Sequence, residues 1–355
     1  MRSWTRLMAV ALVAGVTTTS AILAQNSAAS ASKGPALTAM DYIQIKQLAN
    51  RFMFAFDTGA DGGCEFADLF AADGEFQPGD IKGRDQLAAL ARFGEQKGPF
   101  NTRLYGMNHV IEASPEGARG KQYVAEILHD NKIPPVPPEQ SQWNLVGQKR
   151  GEVLPVGGHY DDVYVKTADG WRFKRREFVA SQGGPRPTPA AVKMPALPAG
   201  PKCGPKKPST AASKLTPMDY LDIEKLIASY GHALDNGYGK GDNAEAYAGL
   251  YTRDASFGAT TGHDALARLG FIQPHSATYT RHYLTNHVIE GTADGAIGKE
   301  YLAVLDIGEN GASSSVFLGG HYEDVYAKTP EGWRIKKRML YIAKTGSDAN
   351  AAPTR

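Results

Sequence analysis

The chain repeats itself. "LTAMDYIQIKQLANRFMFAFD", from Leu37 to Asp57, returns as "LTPMDYLDIEKLIASYGHALD" from Leu215 to Asp235. "RLYGMNHVIE" (Arg103 to Glu112) returns as "RHYLTNHVIE" (Arg281 to Glu290) with seven of ten residues unchanged. "GGHYDDVYVKTADGWRFKRR" (Gly157 to Arg176) returns as "GGHYEDVYAKTPEGWRIKKR" (Gly319 to Arg338), identical at fourteen of twenty positions. Three matching segments in the same order mean that one folding unit is present twice. The units run over residues 37–182 and 215–345. The proline-rich stretch between them, residues 183–214, favours an extended, semi-rigid spacer.

Each unit opens with a helix. Thr216 can cap it, Pro217 suits its first turn, and Asp219 completes a capping box; Thr38 and Asp41 repeat the pattern. Ile223, Leu226, Ile227, Tyr230 and Leu234 recur at helical spacing and face a core. Asp235 lies close to the edge of that stripe, where a half-buried carboxylate needs a partner. Shorter helical stretches follow at 243–251 and 262–271, then four β-rich segments at 278–290, 298–307, 315–328 and 332–342. Helices first and a strand meander afterwards predict an α+β fold, with helices on one face of a curved antiparallel sheet. The concave side of such a sheet leaves a pocket.

The first 24 residues place Arg2 and Arg6 before an apolar stretch that ends in small residues, the layout of a secretory signal peptide. Cleavage is expected after Ala24, with Ala31 as the alternative, and the location is then periplasmic or secreted. An uncleaved membrane anchor is the competing reading. Removing Arg2 and Arg6 leaves 37 basic and 37 acidic residues, so no basic field is available to collect nucleic acid. The two cysteines, Cys64 in a glycine-rich loop and Cys203 in the spacer, are read as separate thiols, with a bridge between them as the alternative.

The motifs "YxxxxD" (Tyr230, Asp235), "HYxTN" (His282, Tyr283, Thr285, Asn286) and "GGHYxDxY…GWR" (Gly319 to Arg334) resemble the nuclear transport factor two-like superfamily. The likeness is to its SnoaL-like branch, with scytalone dehydratase and the hexachlorocyclohexane dehydrochlorinase, and it covers nearly all of each unit. It implies two tandem cone-shaped α+β barrels, each enclosing a largely apolar cavity, and chemistry without a cofactor. It also implies that Asp235 and His282 form an acid/base dyad and that Arg338 stands near a leaving group. Elementary chemistry agrees about the dyad: a carboxylate on one imidazole nitrogen fixes the tautomer and frees the other nitrogen to accept a proton. This sequence departs from both relatives. The paired tyrosines of the dehydratase fall on Leu234 and Ala259, and the lysine of the dehydrochlorinase falls on Tyr230.

In unit 1 the same positions hold Phe52, Asp57, Leu104 and Arg176, so the base is lost and that unit is read as inactive by this mechanism. Tyr230, Asn286, His321 and Arg338 are the expected substrate-binding residues. His287, retained as His109, is expected to point away from His282 and to be structural. A metal site built from Asp235, His282 and His321 has no supporting ligand spacing. The expected activity is that of an exported, cofactor-independent lyase or isomerase acting on a small, largely apolar, aromatic or polycyclic molecule. The alternative is a noncatalytic carrier of hydrophobic ligands. The insertion from His129 to Gly151 is expected to be a lid or contact element. The two units are expected to pair within the chain or to form a homo-oligomer.

Overall fold

A computed structural model of the chain describes residues 34–95, 102–128, 158–180, 202–204, 215–237, 244–271, 280–306 and 315–342. The expected leader, the His129–Gly151 insertion and most of the spacer lie outside the described residues. Unit 1 contains α1 (Ala39–Thr58), a 3₁₀ turn (Ala60–Gly63), α2 (Cys64–Ala67), β1 (Phe70–Gln77), β2 (Ile81–Lys82), α3 (Arg84–Glu95), β3 (Thr102–Ser114), β4 (Gly117–Leu128), β5 (Gly158–Thr167) and β6 (Gly170–Ala180). Unit 2 follows the same order with α4 (Pro217–Gly237), α5 (Ala244–Ala248), β7 (Tyr251–Phe257), β8 (Thr260–Thr261), α6 (His263–Phe271), β9 (Thr280–Gly291), β10 (Ala296–Asp306), β11 (Ser315–Thr329) and β12 (Gly332–Ile342).

The capping boxes form and do more than cap. Asp41 N donates to Thr38 Oγ1 at 3.2 Å and Thr38 N donates to Asp41 Oδ2 at 2.9 Å. The other oxygen, Oδ1, accepts Lys166 Nζ at 2.6 Å and Trp171 Nε1 at 2.9 Å. Asp219 makes the corresponding four contacts with Thr216, Lys328 and Trp333. One carboxylate therefore starts the long helix and pins it to the last hairpin of its sheet, which accounts for the Gly-Trp pair retained in both units. Burial alone would raise the Asp41 pKa; the Lys166 ammonium and the Thr38 and Trp171 donors together hold it well below the usual carboxylate range.

Each sheet has six strands, ordered β2-β1-β6-β5-β4-β3 and β8-β7-β12-β11-β10-β9, curved but not closed into a barrel. The four expected strands form an antiparallel meander. The structure adds two more: β1 pairs parallel to β6 and β7 pairs parallel to β12, so each sheet is mixed. Both parallel pairings shift register within the strand, which breaks the alternation that would mark these segments as strands. Cys64 is bonded to Cys203, correcting the reading of two separate thiols and tying the spacer back onto unit 1 across 139 residues.

The units pack against each other asymmetrically. Among the described residues α1 is buried on two sides, by its own sheet and by unit 2. Gln47 accepts from Ile289 N at 2.7 Å and donates to His287 O at 3.1 Å, and Asn50 donates to the same carbonyl at 2.7 Å, so α1 satisfies the open edge of β9. Phe54 lies 4.0 Å from the Tyr301 ring, centre to centre. As a result Tyr301 is 1% exposed and Val288 4%, whereas their counterparts in unit 1, Tyr123 and Val110, are 58% and 55% exposed. The contact is thus head-to-tail and does not use equivalent surfaces twice.

Candidate active site

Helix α4 ends beside β9, the edge strand of its sheet, and brings Asp235 against the strand backbone. His282 N donates to Asp235 Oδ2 at 2.8 Å. Unit 1 does the same: Leu104 N donates to Asp57 Oδ2 at 2.9 Å. The aspartate is therefore architectural in both units, because an edge N–H shielded from water must find an acceptor. The units differ at the side chain. His282 Nδ1 lies 2.7 Å from Asp235 Oδ1, a contact that Leu104 cannot make. With the carboxylate accepting the Nδ1 proton, Nε2 carries the lone pair, and it has no hydrogen-bond partner among the described residues.

The buried core holds phenols in unit 2 where unit 1 has phenyl rings. Tyr230 Oη lies 3.1 Å from Tyr322 Oη, and Tyr247 Oη lies 3.0 Å from Tyr251 Oη. The Tyr230 and Tyr247 rings lie 5.6 Å apart, centre to centre. In unit 1 the ring contacts Phe52 to Phe66, Phe66 to Phe70 and Phe52 to Tyr160 repeat the geometry, and only Tyr160 keeps a hydroxyl. Tyr247 and Tyr251 were not singled out from the sequence. Alignment of "FADLF" (Phe66 to Phe70) with "YAGLY" (Tyr247 to Tyr251) carries the signal. Burial pushes all four unit 2 phenols above their ordinary pKa, so each remains a proton donor at neutral pH.

Arg338 is fully buried beneath Tyr230 and Tyr322, its guanidinium 4.1 and 4.3 Å from the ring centres. Its Nε donates to Asp324 Oδ1 at 2.8 Å, and its Nη2 donates to Glu300 Oε1 at 2.6 Å and to Asp324 Oδ2. Arg176 repeats the arrangement with Asp162 and with Gln122 in place of Glu300. A guanidinium pinned this way in both units organises the core, and it orients Tyr230 by stacking under it. Burial and the neighbouring Asp324 carboxylate push the Glu300 pKa up, against the pull of Arg338. Unit 1 fills that place with an uncharged amide.

Two other expected site residues are placed elsewhere. Asn286 sits at a bulge with φ +56°; its Oδ1 accepts Gly106 N at 3.1 Å and its Nδ2 donates to Leu104 O at 3.4 Å. It clamps the two units together instead of lining the interior. His321 stacks on Tyr341, ring centres 4.9 Å apart, on the outer sheet face with Phe54 at 6.1 Å, away from the dyad. The bulge also corrects the reading of His287. The register shift between Lys299 and Tyr301 inserts a residue, so His287 returns to the inner face that His282 occupies. His109 shows that placement directly, with Nε2 3.0 Å from Tyr164 Oη. Burial lowers both His109 and His287 to about 4.

Among the described residues no group of three or more potential ligands has the arrangement of a metal site, and no helix is long and apolar enough to cross a membrane. The model of the SnoaL-like domain family matches residues 38–177 and 218–339. Solved structures similar to single units include an NTF2-like protein with a cystatin-like fold from Novosphingobium aromaticivorans. It shares 23% identity with a TM-score of 0.33, covering 39% of this chain and 90% of that one. A second, described as a putative scytalone dehydratase from the same organism, shares 21% identity with a TM-score of 0.29, covering 39% and 90%. A third, ActVI-ORFA from Streptomyces coelicolor, shares 16% identity with a TM-score of 0.30, covering 35% and 96%. A comparison with curated proteins gives no significant match.

Proposed function

Because the chain belongs to the SnoaL-like family through both of its units, we propose that unit 2 is a cofactor-independent lyase or isomerase in which His282 removes a proton from a small, largely apolar substrate. The observation that carries this reading is the Asp235–His282 contact at 2.7 Å, with Nε2 left unpaired by the described residues. The substrate proton passes to Nε2, and its electron pair either forms a new double bond with loss of a leaving group or migrates as an enolate. Asp235 stabilises the imidazolium. Tyr230 and Tyr322 are donors for a developing oxyanion, and a positioned base of this kind typically contributes about 10² to 10⁴ in rate. Asp235 and Tyr230 hold fixed places before substrate arrives, the one through the β9 backbone and the other through Arg338.

The aromatic side chains buried in the unit 2 core favour an aromatic or polycyclic substrate. The leader-like first 24 residues and the Cys64–Cys203 bridge together support export to an oxidising compartment. The phenyl-rich core of unit 1, with Leu104 where a base would stand, favours a ligand-holding or covering role for that unit.

The test uses the full chain without its leader and a panel of aromatic and polycyclic ketones, alcohols and halides. Wild type is compared with His282→Ala and Asp235→Asn. An asparagine amide can still accept His282 N through its carbonyl, while its NH₂ donates to Nδ1 and leaves Nε2 protonated. Both variants are expected to lose at least about a hundredfold in kcat. Turnover that survives both would discard the dyad. Binding without turnover, equal in wild type and His282→Ala, would establish the carrier reading instead.

A further inference from the structure

A groove of about 390 Å³ lies on the outer face of the unit 2 sheet, opposite the face that carries His282, with Val288, Ile297, Lys299, Glu323, Met339 and Tyr341 in its walls. Lys299 stands where α1 of unit 1 meets this face, its Nζ 4.7 Å from the centre of the Phe54 ring. It forms no ion pair among the described residues. Two nearby carboxylates are engaged elsewhere: Glu290 with Arg51 at 3.1 Å, and Glu323 facing His321 at 3.7 Å. Unit 1 supplies an internal comparison. Its corresponding groove, about 460 Å³, is lined by unit 1 alone among the described residues. Its lysine, Lys121, has a side chain 70% exposed and lies 3.4 Å from Asp161.

We propose that the outer groove of unit 2 is a second small-molecule site, which takes an apolar aromatic aldehyde or ketone and holds it as an imine on Lys299. Burial without an ion-pair partner disfavours the ammonium and lowers Lys299 below its ordinary value of 10.5, although the Phe54 face attracts the cation. More of it is then free amine at neutral pH, the form that attacks carbonyl carbon. Glu65, Glu290 and Glu323 oppose that lowering and Arg51 adds to it; Lys337 is the other cation in the groove wall. The flat Tyr341 ring stacked on His321 and the apolar side chains of Val288, Ile297 and Met339 suit an aromatic body. The groove volume falls in the range of small-molecule sites, roughly 300–1,000 Å³.

The reaction is a condensation. The Nζ lone pair forms a C–N bond, the carbonyl π pair moves to oxygen and takes a proton from solvent, and the nitrogen loses one. The carbinolamine then expels its hydroxyl as water to give C=N. Amine and carbonyl become imine and water, with no change of oxidation state.

The test is competitive labelling of the full chain with benzaldehyde and sodium cyanoborohydride at pH 7, followed by peptide mapping. Lys299 is expected to be benzylated at least about tenfold faster than Lys121. Its rate should saturate with benzaldehyde. Labelling no faster than at Lys121, or a rate that rises linearly without saturation, overturns the proposal. His282→Ala is expected to leave the labelling unchanged, so the outcome is independent of the dyad. Lys299→Arg, which keeps the charge, should abolish labelling at this site while leaving His282-dependent turnover intact.

Discussion

Tyr301 donates to Asp57 across the boundary between the units, Oη to Oδ2 at 2.8 Å, on the same oxygen that accepts Leu104 N. Asp57 thus couples the edge of the unit 1 sheet to the packing of unit 2. Its price is desolvation, which raises the carboxyl from 3.8 to about 6 against the opposing pull of Arg103 and the two donors. A raised folded pKa means that the folded state binds the proton more tightly than the unfolded chain. Stability from this group is full below pH 3.8 and is lost as pH rises toward 6. Asp57→Asn keeps a carbonyl oxygen for both donors and cannot ionise. Its stability relative to wild type is expected to improve between pH 4 and pH 7, by at most about 3 kcal/mol. Urea unfolding at the two pH values measures this, and a difference that stays flat or reverses contradicts it.

His109 and His287 behave in the opposite sense. Burial lowers both to about 4 from 6.5, so the unfolded chain takes up protons first as pH falls. Their contribution is full above pH 6.5 and disappears as pH drops toward 4. Around His109 stand Tyr164, Asp162, Arg176 and Lys46; around His287 stand Glu224, Lys46 and Arg338. The double variant His109→Gln, His287→Gln is expected to flatten the loss of stability between pH 6.5 and 4, read from melting temperatures by circular dichroism. An unchanged slope assigns the acid sensitivity to other groups.

Much of this was legible from the repeat. The capping boxes and the order of helices and strands follow from residues that comparison of the two copies singles out, and the pairing of Asp235 with His282 is what the family resemblance implies. The parallel strands β1 and β7 were not legible, because their register shifts remove the period-two pattern. Nor was the inward turn of His287, since a bulge at Asn286 changes which face every later residue occupies. The disulfide escaped for a different reason: nothing local to Cys203 tells how far a proline-rich spacer doubles back. His321 shows the limit of retained residues as a guide, because His159 and His321 are kept for an outer face whose environment differs between the units.

The Cys64–Cys203 bridge closes a loop of 139 residues that takes in unit 1 from α2 onward. Cross-linking a loop of that length restricts the unfolded chain, by about 4–5 kcal/mol in the chain-entropy account. Cys203→Ser is expected to lower the melting temperature of unit 1, and dithiothreitol should do the same to wild type but leave the variant unaffected. A melting curve indifferent to reductant in both would show that the bridge contributes little.

The two roles of Asp235 can be separated by substitution, because unit 1 shows what the fold requires without the chemistry. Leu104 fills the position of His282 at 6% exposure and its N–H still reaches the aspartate. His282→Leu therefore copies a side chain that the fold accepts beside the same cap, and is expected to fold with a stability change of about 1 kcal/mol or less, in line with a change that leaves no cavity and no orphaned donor. Asp235→Ala removes the acceptor of the edge N–H as well as the imidazole partner, and is expected to cost about 1–3 kcal/mol. Both abolish turnover if the pair is catalytic, yet only the second destabilises the sheet edge. Hydrogen exchange at the His282 amide distinguishes them: protection should persist in His282→Leu and fall in Asp235→Ala. Equal protection in both would mean that the aspartate does not hold the strand, and its presence at Asp57 would then need another cause.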